Sequence, residues 1–311
     1  MNVVMGTPSL EATSTEEIKL HTVLSKILER KTGPVPEAER DTATHWPASH
    51  FFLDQVSCFQ TANKDQKEQI LLECSQMLVR ESYFIEKGGM YYTSKISMLS
   101  ELTEERMLYS FFAADEATHF HWISQFCSAV SVGNFESNPF LVLLSDIAEH
   151  ENRITMIYLL QVVLEGWGLH HYRELVDECV TPELKEVFKN ILKDESSHHG
   201  GGLVILNAQK MSTEDQKRIC EILGKFLGMV QSGSQGVVSI LQKILGPFSH
   251  QELVQIFQEL HSEAESNRKL ALISNCIRSA TSSESILNYL NERNALTAFD
   301  TEICAQIAVS A

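Results

Sequence analysis

Apolar residues recur along most of the chain at intervals of three and four positions, which is the period of helices that bury one face. Strand-like alternation is nearly absent, and only 7 prolines and 15 glycines interrupt the pattern. The pattern predicts an all-α fold with a four-helix bundle core. The four long helical segments are expected at residues 66–99, 103–128, 139–178 and 181–207. We expect the third segment to break near residues 146–150.

Additional N- and C-terminal helices are expected on both sides of this core. The pattern predicts a first helix at residues 15–31, and further helical stretches follow residue 210. Helix starts inside the core are well marked, for example by Asn138 before Pro139. We therefore divide the chain into an N-terminal helical extension, the bundle and a C-terminal extension packed on it, at residues 1–65, 66–210 and 211–311.

Composition and charge narrow the possible functions. The formal net charge of −16 argues against non-specific nucleic-acid binding, because phosphates would be repelled. The seven cysteines are scattered without a CxxC pair, which is typical of reduced thiols in the cytoplasm. No apolar stretch approaches membrane-spanning length, and the first residues do not form a signal peptide. The chain is therefore expected to be cytoplasmic, with neither nucleic-acid nor membrane partners.

An internal repeat concentrates chemistry at two matching places. The motif Asp-Glu-x-x-His occurs at residues 115–119 and again, 79 positions later, at residues 194–198. Glu86 and Glu165 are separated by the same 79 positions, and each precedes its motif glutamate by 30 positions. Each half is predicted to be a helical hairpin that places the first glutamate and the motif at similar heights above the turn.

Helical geometry brings each motif glutamate and histidine onto one face. Residues at i and i+3 are neighbours on a helix, so Glu116 lies beside His119 and Glu195 beside His198. Both faces are otherwise apolar. Four carboxylates buried together need compensating cations, since isolated charges are costly in a low dielectric. Carboxylates and imidazoles together suit a pair of divalent ions such as iron or manganese.

Several neighbouring residues extend this hypothesis. Glu81 competes with Glu86 as the first-helix ligand, because its helical face is more apolar, whereas the repeat favours Glu86. Asp115 and Asp194 precede the motif glutamates and are candidates to accept hydrogen bonds from the histidines, with surface salt bridges as the alternative. Three glycines near the first glutamates would leave room for bridging carboxylates and substrate, namely Gly89, Gly166 and Gly168. Three more glycines follow His198 and would permit a distortion of the helix, namely Gly200, Gly201 and Gly202.

Over about residues 66–207 the chain resembles the ferritin-like di-iron carboxylate superfamily, in which two helices supply a Glu and two supply Glu-x-x-His. This superfamily includes ribonucleotide reductase small subunits, desaturases, rubrerythrins and p-aminobenzoate N-oxygenases. The resemblance implies two iron ions, with manganese or a mixed pair as alternatives, and dioxygen as co-substrate. It also implies a small-molecule substrate, an external electron donor and, by analogy, a homodimer. The implied ligands are Glu86, Glu116, His119, Glu165, Glu195 and His198.

Departures from the relatives narrow the choice of reaction. Ribonucleotide reductase small subunits place a radical tyrosine four residues after the first motif histidine, where this chain has Ile123. The arylamine N-oxygenases carry an extra histidine one turn before the second motif, where this chain has Ile191. Storage ferritins are far shorter. The resemblance therefore favours a di-iron oxygenase or oxidase acting on a small organic substrate, with iron oxidation or metal handling without organic substrate as the alternative.

Overall fold

The computed structural model describes residues 15–32, 41–127 and 138–310, and within these ranges it is helical, with short connections and no strand. The predicted all-α class is confirmed. In chain order the first helices are α1 (Thr15–Thr32), α2 (Ser57–Thr61), α3 (Lys64–Leu99), α4 (Thr103–Ser124) and α5 (Pro139–His150). The next helix, α6, is continuous through three segments, Arg153–Met156, Ile157–Leu164 and Glu165–Glu178. After it come α7 (Pro182–Asn207), α8 (Thr213–Gln231), α9 (Gln235–Leu245), α10 (His250–Glu259), α11 (Ser262–Ser279), α12 (Ser283–Asn291) and α13 (Thr301–Ser310).

Two helical hairpins form the bundle. Helix α3 packs along α4, and the last part of α6 packs along α7, while α4 and α7 also contact each other. The apolar faces expected from the sequence are the faces that meet, since Tyr109 and Phe112 of α4 and Phe188 and Ile191 of α7 are all buried. Additional helices precede and follow this bundle. Parts of the predicted N-terminal extension, residues 1–14 and 33–40, lie outside the described residues, as does residue 128.

The third predicted segment breaks one residue beyond the expected region. Glu151 is extended, and Asn152 begins a new helix by accepting a hydrogen bond from the backbone of Thr155. The end of α5 is held from another helix, because the Lys95 ammonium of α3 donates to the carbonyls of Ala148 and Glu149, each at 2.9 Å. A cation placed on the last carbonyls of a helix satisfies groups that have no partner within that helix. The break is therefore fixed by packing as well as by the Asn152 cap.

A π-helix lies in the middle of α6, where an ordinary helix was expected. Its residues, Ile157–Leu164, are almost all buried, and it leads directly into Glu165. Gln161, fully buried, accepts a hydrogen bond from Tyr109 at 2.6 Å and donates to the carbonyl of His198 at 2.7 Å. Buried π-helical turns often occur at functional sites. This one connects α6 to the two helices that carry the repeated motifs.

The distortion expected after His198 does not occur, because α7 continues as an α-helix through Asn207. The glycines there permit close packing instead. A side chain at Gly201 would press against Phe112, and one at Gly202 would overlap Gln161. The irregular backbone is thus on α6, and Gly202 of α7 makes room for the side chain of Gln161.

Two further findings concern the whole described chain. None of its helices combines the length and apolar character needed to cross a membrane. All seven cysteines lie in the described ranges, and none forms a disulfide.

Candidate metal centre

The six residues of the repeat meet in the middle of the bundle. Glu86 comes from α3, Glu116 and His119 from α4, Glu165 from α6, and the second motif from α7. Five of the six side chains are buried and Glu165 is partly buried. Their role as ligands stays a prediction, but the structure brings together every residue that the repeat singled out.

The six side chains form two overlapping groups, each suited to hold a metal ion. Within each group, one ligand atom per residue lies within 4.8 Å of all the others. The groups share Glu116 and Glu195, so two ions held there would have two carboxylates in common. The first group consists of Glu86, Glu116, His119 and Glu195, and the second of Glu116, Glu165, Glu195 and His198.

Both histidines direct Nδ1 toward the carboxylates. Nδ1 of His119 lies 3.2 Å from Glu86 Oε2 and 3.5 Å from Glu195 Oε1. Nδ1 of His198 lies 3.2 Å from Glu116 Oε1 and 3.5 Å from the same Glu195 oxygen. Glu195 is therefore shared evenly between the two imidazoles, as expected of a residue that belongs to both groups.

The other nitrogen of each imidazole is held by an aspartate of the opposite motif. His119 Nε2 lies 3.2 Å from Asp194 Oδ2, and His198 Nε2 lies 3.3 Å from Asp115 Oδ2. This is the role expected for both aspartates from the sequence. A carboxylate on the outer nitrogen fixes the orientation of the ring and strengthens the inner nitrogen as a ligand. Because each aspartate binds the histidine of the other motif, the two contacts also link α4 to α7.

Two tyrosines, which the sequence reasoning missed, make a second exchange between helices. Tyr172 of α6 donates a short hydrogen bond to Glu86 of α3, and Tyr92 of α3 donates one to Glu165 of α6. Tyr172 follows Glu165 by seven residues, the helical spacing that returns to the same face, and this signal was available in the sequence. The two carboxylates that belong to only one group each are thus held by phenols.

Burial and mutual repulsion perturb the protonation of the cluster. Burial and the charge of Glu195 raise the pKa of Glu116 to about 8 and the pKa of Glu165 well above its usual range. Burial opposes the charged form of Glu195 as well, but hydrogen bonds with His119 and His198 outweigh it and lower that pKa to about 2. Burial also disfavours the imidazolium forms, yet hydrogen bonds to carboxylates hold the pKa of both histidines well above its usual range. Protons therefore compensate the buried carboxylates, and metal ions would displace them.

The residues present fit a pair of metal ions. Among the described residues, Glu165 Oε2 is buried without a hydrogen-bond partner, and His198 Nδ1 makes no well-aligned hydrogen bond although it lies 3.2 Å from Glu116 Oε1, so both atoms are available to a metal ion. Two divalent ions would match the four carboxylates in charge. Gly89 adds a steric requirement, because a Cβ there would overlap the Glu116 carboxylate. The room that the sequence predicted at Gly89 is room for a shared carboxylate.

Other candidate residues lie outside the two groups. Glu81 belongs to neither, and accepts a hydrogen bond from Asn138 Nδ2 at 3.3 Å, so the structure favours Glu86 over Glu81. Gly166 packs against His199, whereas a Cβ at Gly168 would meet open space. Neither glycine contacts the carboxylates that Gly89 accommodates.

A cavity of about 70 Å³ lies beside the cluster, and most of its wall is apolar. Its lining includes all four carboxylates of the cluster and the two tyrosines that bind them. The apolar part of the wall is built by α3, α5 and α6, through Ile85, Phe140, Leu144, Leu160, Leu164 and Trp167. An apolar space next to a charged, buried cluster is the arrangement expected of a small-molecule site.

No protein-family model, no curated protein and no solved structure matches this chain. The interpretation of the centre therefore depends on its residues and their geometry. Those establish a helical bundle with a buried Glu/His cluster suited to metal ions and compatible with a ferritin-like fold.

Proposed function

We propose that this protein is a non-haem di-iron oxygenase or oxidase that acts on a small organic molecule. The observation that carries the proposal is the pair of overlapping ligand groups that share Glu116 and Glu195. Bound ferrous ions would supply the electrons and the binding positions for the reduction of dioxygen. Manganese or a mixed pair would suit the same donors.

In this proposal some residues of the chain bind the metal ions and others orient those ligands. Glu86 and His119 would hold one ion, Glu165 and His198 the other, and Glu116 and Glu195 would contact both. Asp115 and Asp194 orient the imidazoles, and the two tyrosines orient the outer carboxylates. The apolar wall of the cavity would keep water away from the side of the cluster where a substrate would bind.

Metal content per chain after anaerobic loading with ferrous iron tests the proposal. We expect about two ions per chain, and rapid oxygen consumption once the loaded protein meets dioxygen. The double variant Glu116→Ala/Glu195→Ala removes both shared carboxylates and should bind neither ion. The matched control is Glu183→Ala/Glu186→Ala, which removes two exposed carboxylates near the start of α7 and should bind iron as the wild type does.

Three outcomes would overturn the proposal. Absence of specific metal in the wild-type chain would leave the repeat with a structural role only. Uptake of many ions per chain would indicate iron handling without an organic substrate. Two ions that consume no oxygen would indicate a metal-binding protein without turnover.

A further inference from the structure

The apolar face of α1 is exposed along most of its length. Leu20, Val23, Leu24 and Ile27 recur at helical spacing, and their exposure runs from 38% at Ile27 to 69% at Leu20. Leu28, the neighbour of Leu24 one turn later, is buried, and α1 packs on α4. Helix α1 therefore contacts the bundle at one edge of its apolar face, and the stripe formed by the other four residues remains exposed.

A helix such as α1 needs a packed apolar face to be stable. Most of the stability of helices in proteins comes from the packing of an amphipathic face, and isolated short helices are marginal in water even when they are rich in alanine. Helix α1 has 18 residues and no alanine. A surface that covers the stripe would supply this packing and would also remove the four side chains from water. The stripe is therefore a candidate interface.

The stripe is symmetric about its own midpoint, which lies between Val23 and Leu24. Leu20 and Ile27 are equally distant from this point. In a two-fold interface the same patch occurs on both subunits, so that residue i meets residue j while j meets i. Two antiparallel copies of α1 would therefore place Leu20 beside the partner's Ile27, and Val23 beside the partner's Leu24. Each stripe would cover the other over its whole length.

Charge selects the direction of this pairing. The sequence of α1 has Glu16 and Glu17 near its start, and Arg30 and Lys31 lie in its last turn. The acidic and basic pairs are also equally distant from the midpoint of the stripe. Antiparallel helices would have opposite charges beside each other at both ends, whereas parallel helices would have like charges there. The surface that matches α1 in both its apolar and its charged positions is thus a second α1.

We propose that the chain forms a two-fold symmetric dimer in which α1 packs antiparallel against α1 of a second copy. This inference is independent of the proposed function, because no residue of α1 belongs to the two ligand groups. The helix that α1 contacts, α4, also exposes Met107 and Phe111, so the bundle offers further apolar surface on that helix. Because the stripe is short, we expect a weak dimer with a Kd in the micromolar range.

Analytical ultracentrifugation of the full chain over the micromolar range tests the dimer. Val23→Asp places a carboxylate in the stripe of each copy and should weaken dimerisation by at least about 100-fold, because a two-fold interface would bury the unpaired charge twice. The matched control is Val309→Asp on α13, where the wild-type valine is exposed by 62%, compared with 57% at Val23. This control should dimerise as the wild type does, and circular dichroism checks that both variants stay folded.

Charge reversal tests the direction of the pairing. Arg30→Glu/Lys31→Glu makes both ends of α1 acidic and should weaken the dimer at least about tenfold, because like charges would then meet at each end. Adding Glu16→Lys/Glu17→Lys exchanges the two ends and should restore the Kd to within about threefold of the wild type. A parallel pair has like charges at its ends in all three proteins. An unchanged Kd in the first variant, or no recovery in the fourfold variant, would overturn the antiparallel arrangement.

Other occupants of the stripe would give different results in the same series. A wild-type chain that stays monomeric throughout the micromolar range would overturn the proposal. Flotation of such a monomer with vesicles of phosphatidylcholine and phosphatidylglycerol, lost in Val23→Asp, would show that the stripe binds a membrane surface instead. A dimer that persists unchanged in Val23→Asp would place the interface elsewhere on the chain and would also refute the role of α1.

Discussion

Because glycine has no Cβ, Gly89 leaves space for a carboxylate that belongs to both ligand groups. The carboxylate of Glu116 occupies the space that a Cβ at residue 89 would fill, and Glu116 belongs to both ligand groups. The end of a glutamate side chain is flexible, so it would yield to a methyl group at little cost to the fold. Glycine is therefore needed at residue 89 for the metal centre and not for the stability of the fold.

Gly89→Ala is expected to separate metal binding from stability. The displaced Glu116 carboxylate should weaken binding of manganese by tenfold or more, as changes around metal ligands commonly do. The free energy of unfolding of the metal-free chain should stay the same or rise by up to about 1 kcal/mol, because alanine favours a helix over glycine. Metal titration and chemical denaturation measure the two effects. Gly200→Ala, where a Cβ meets open space, is the control and should keep full affinity.

The long helices and the six cluster residues were predictable from the sequence, because each depends on local spacing. Helical period and the 79-residue repeat identify which side chains share a face, and the cluster follows from pairing the two hairpins. The π-helix of α6 was not predictable in this way, since residues 157–164 are apolar except for Gln161 and carry no Gly or Pro. The one polar residue of this segment, Gln161, has its partners Tyr109 and His198 on two other helices, so its contacts do not follow from local spacing.

At the scale of the element, Gln161 is expected to hold α6 against its neighbours. Gln161→Leu removes the acceptor of the buried Tyr109 hydroxyl, at a cost of about 1–3 kcal/mol, and also removes the hydrogen bond to the His198 carbonyl. Tyr109→Phe leaves only the Gln161 oxygen unsatisfied and should cost less. The double variant should lose at least about 0.5 kcal/mol less than the two single losses together, because the residues form one network. Urea denaturation of the four proteins measures this coupling.

Tyr158→Phe is the matched control for that cycle. Tyr158 is also a fully buried tyrosine, but its hydroxyl has no hydrogen-bond partner among the described residues. Removing it should therefore leave the free energy of unfolding unchanged or slightly higher. Equal losses in Tyr109→Phe and Tyr158→Phe would contradict the role given to the Gln161 network.

At the scale of the whole molecule, the two hairpins are joined by exchanged partners. Asp115 and Asp194 each hold a histidine of the other hairpin, and Tyr92 and Tyr172 each hold a glutamate of the other hairpin. The internal repeat identifies both aspartates as candidate partners of the histidines, whereas the pairing across the two hairpins is visible only in the structure. The second exchange is outside the repeat, since Thr93 stands at the position that matches Tyr172. The centre therefore connects helices that are far apart in sequence, and its charge balance bears on the stability of the entire bundle.

Metal loading is accordingly expected to stabilise the whole bundle. A ligand that binds only the folded chain stabilises it by about 2.7 kcal/mol at a free concentration of 100 times Kd. For a protein somewhat smaller than this one, 1 kcal/mol of stabilisation shifts the Tm by about 2–4 °C. Manganese should therefore raise the Tm by about 5 °C or more. A chelator should reverse the rise. Scanning calorimetry under these conditions measures the shift. The Glu116→Ala/Glu195→Ala protein should show no rise, since no carboxylate remains that both ions share. A rise of the same size in that variant would place the stabilising ions outside the cluster.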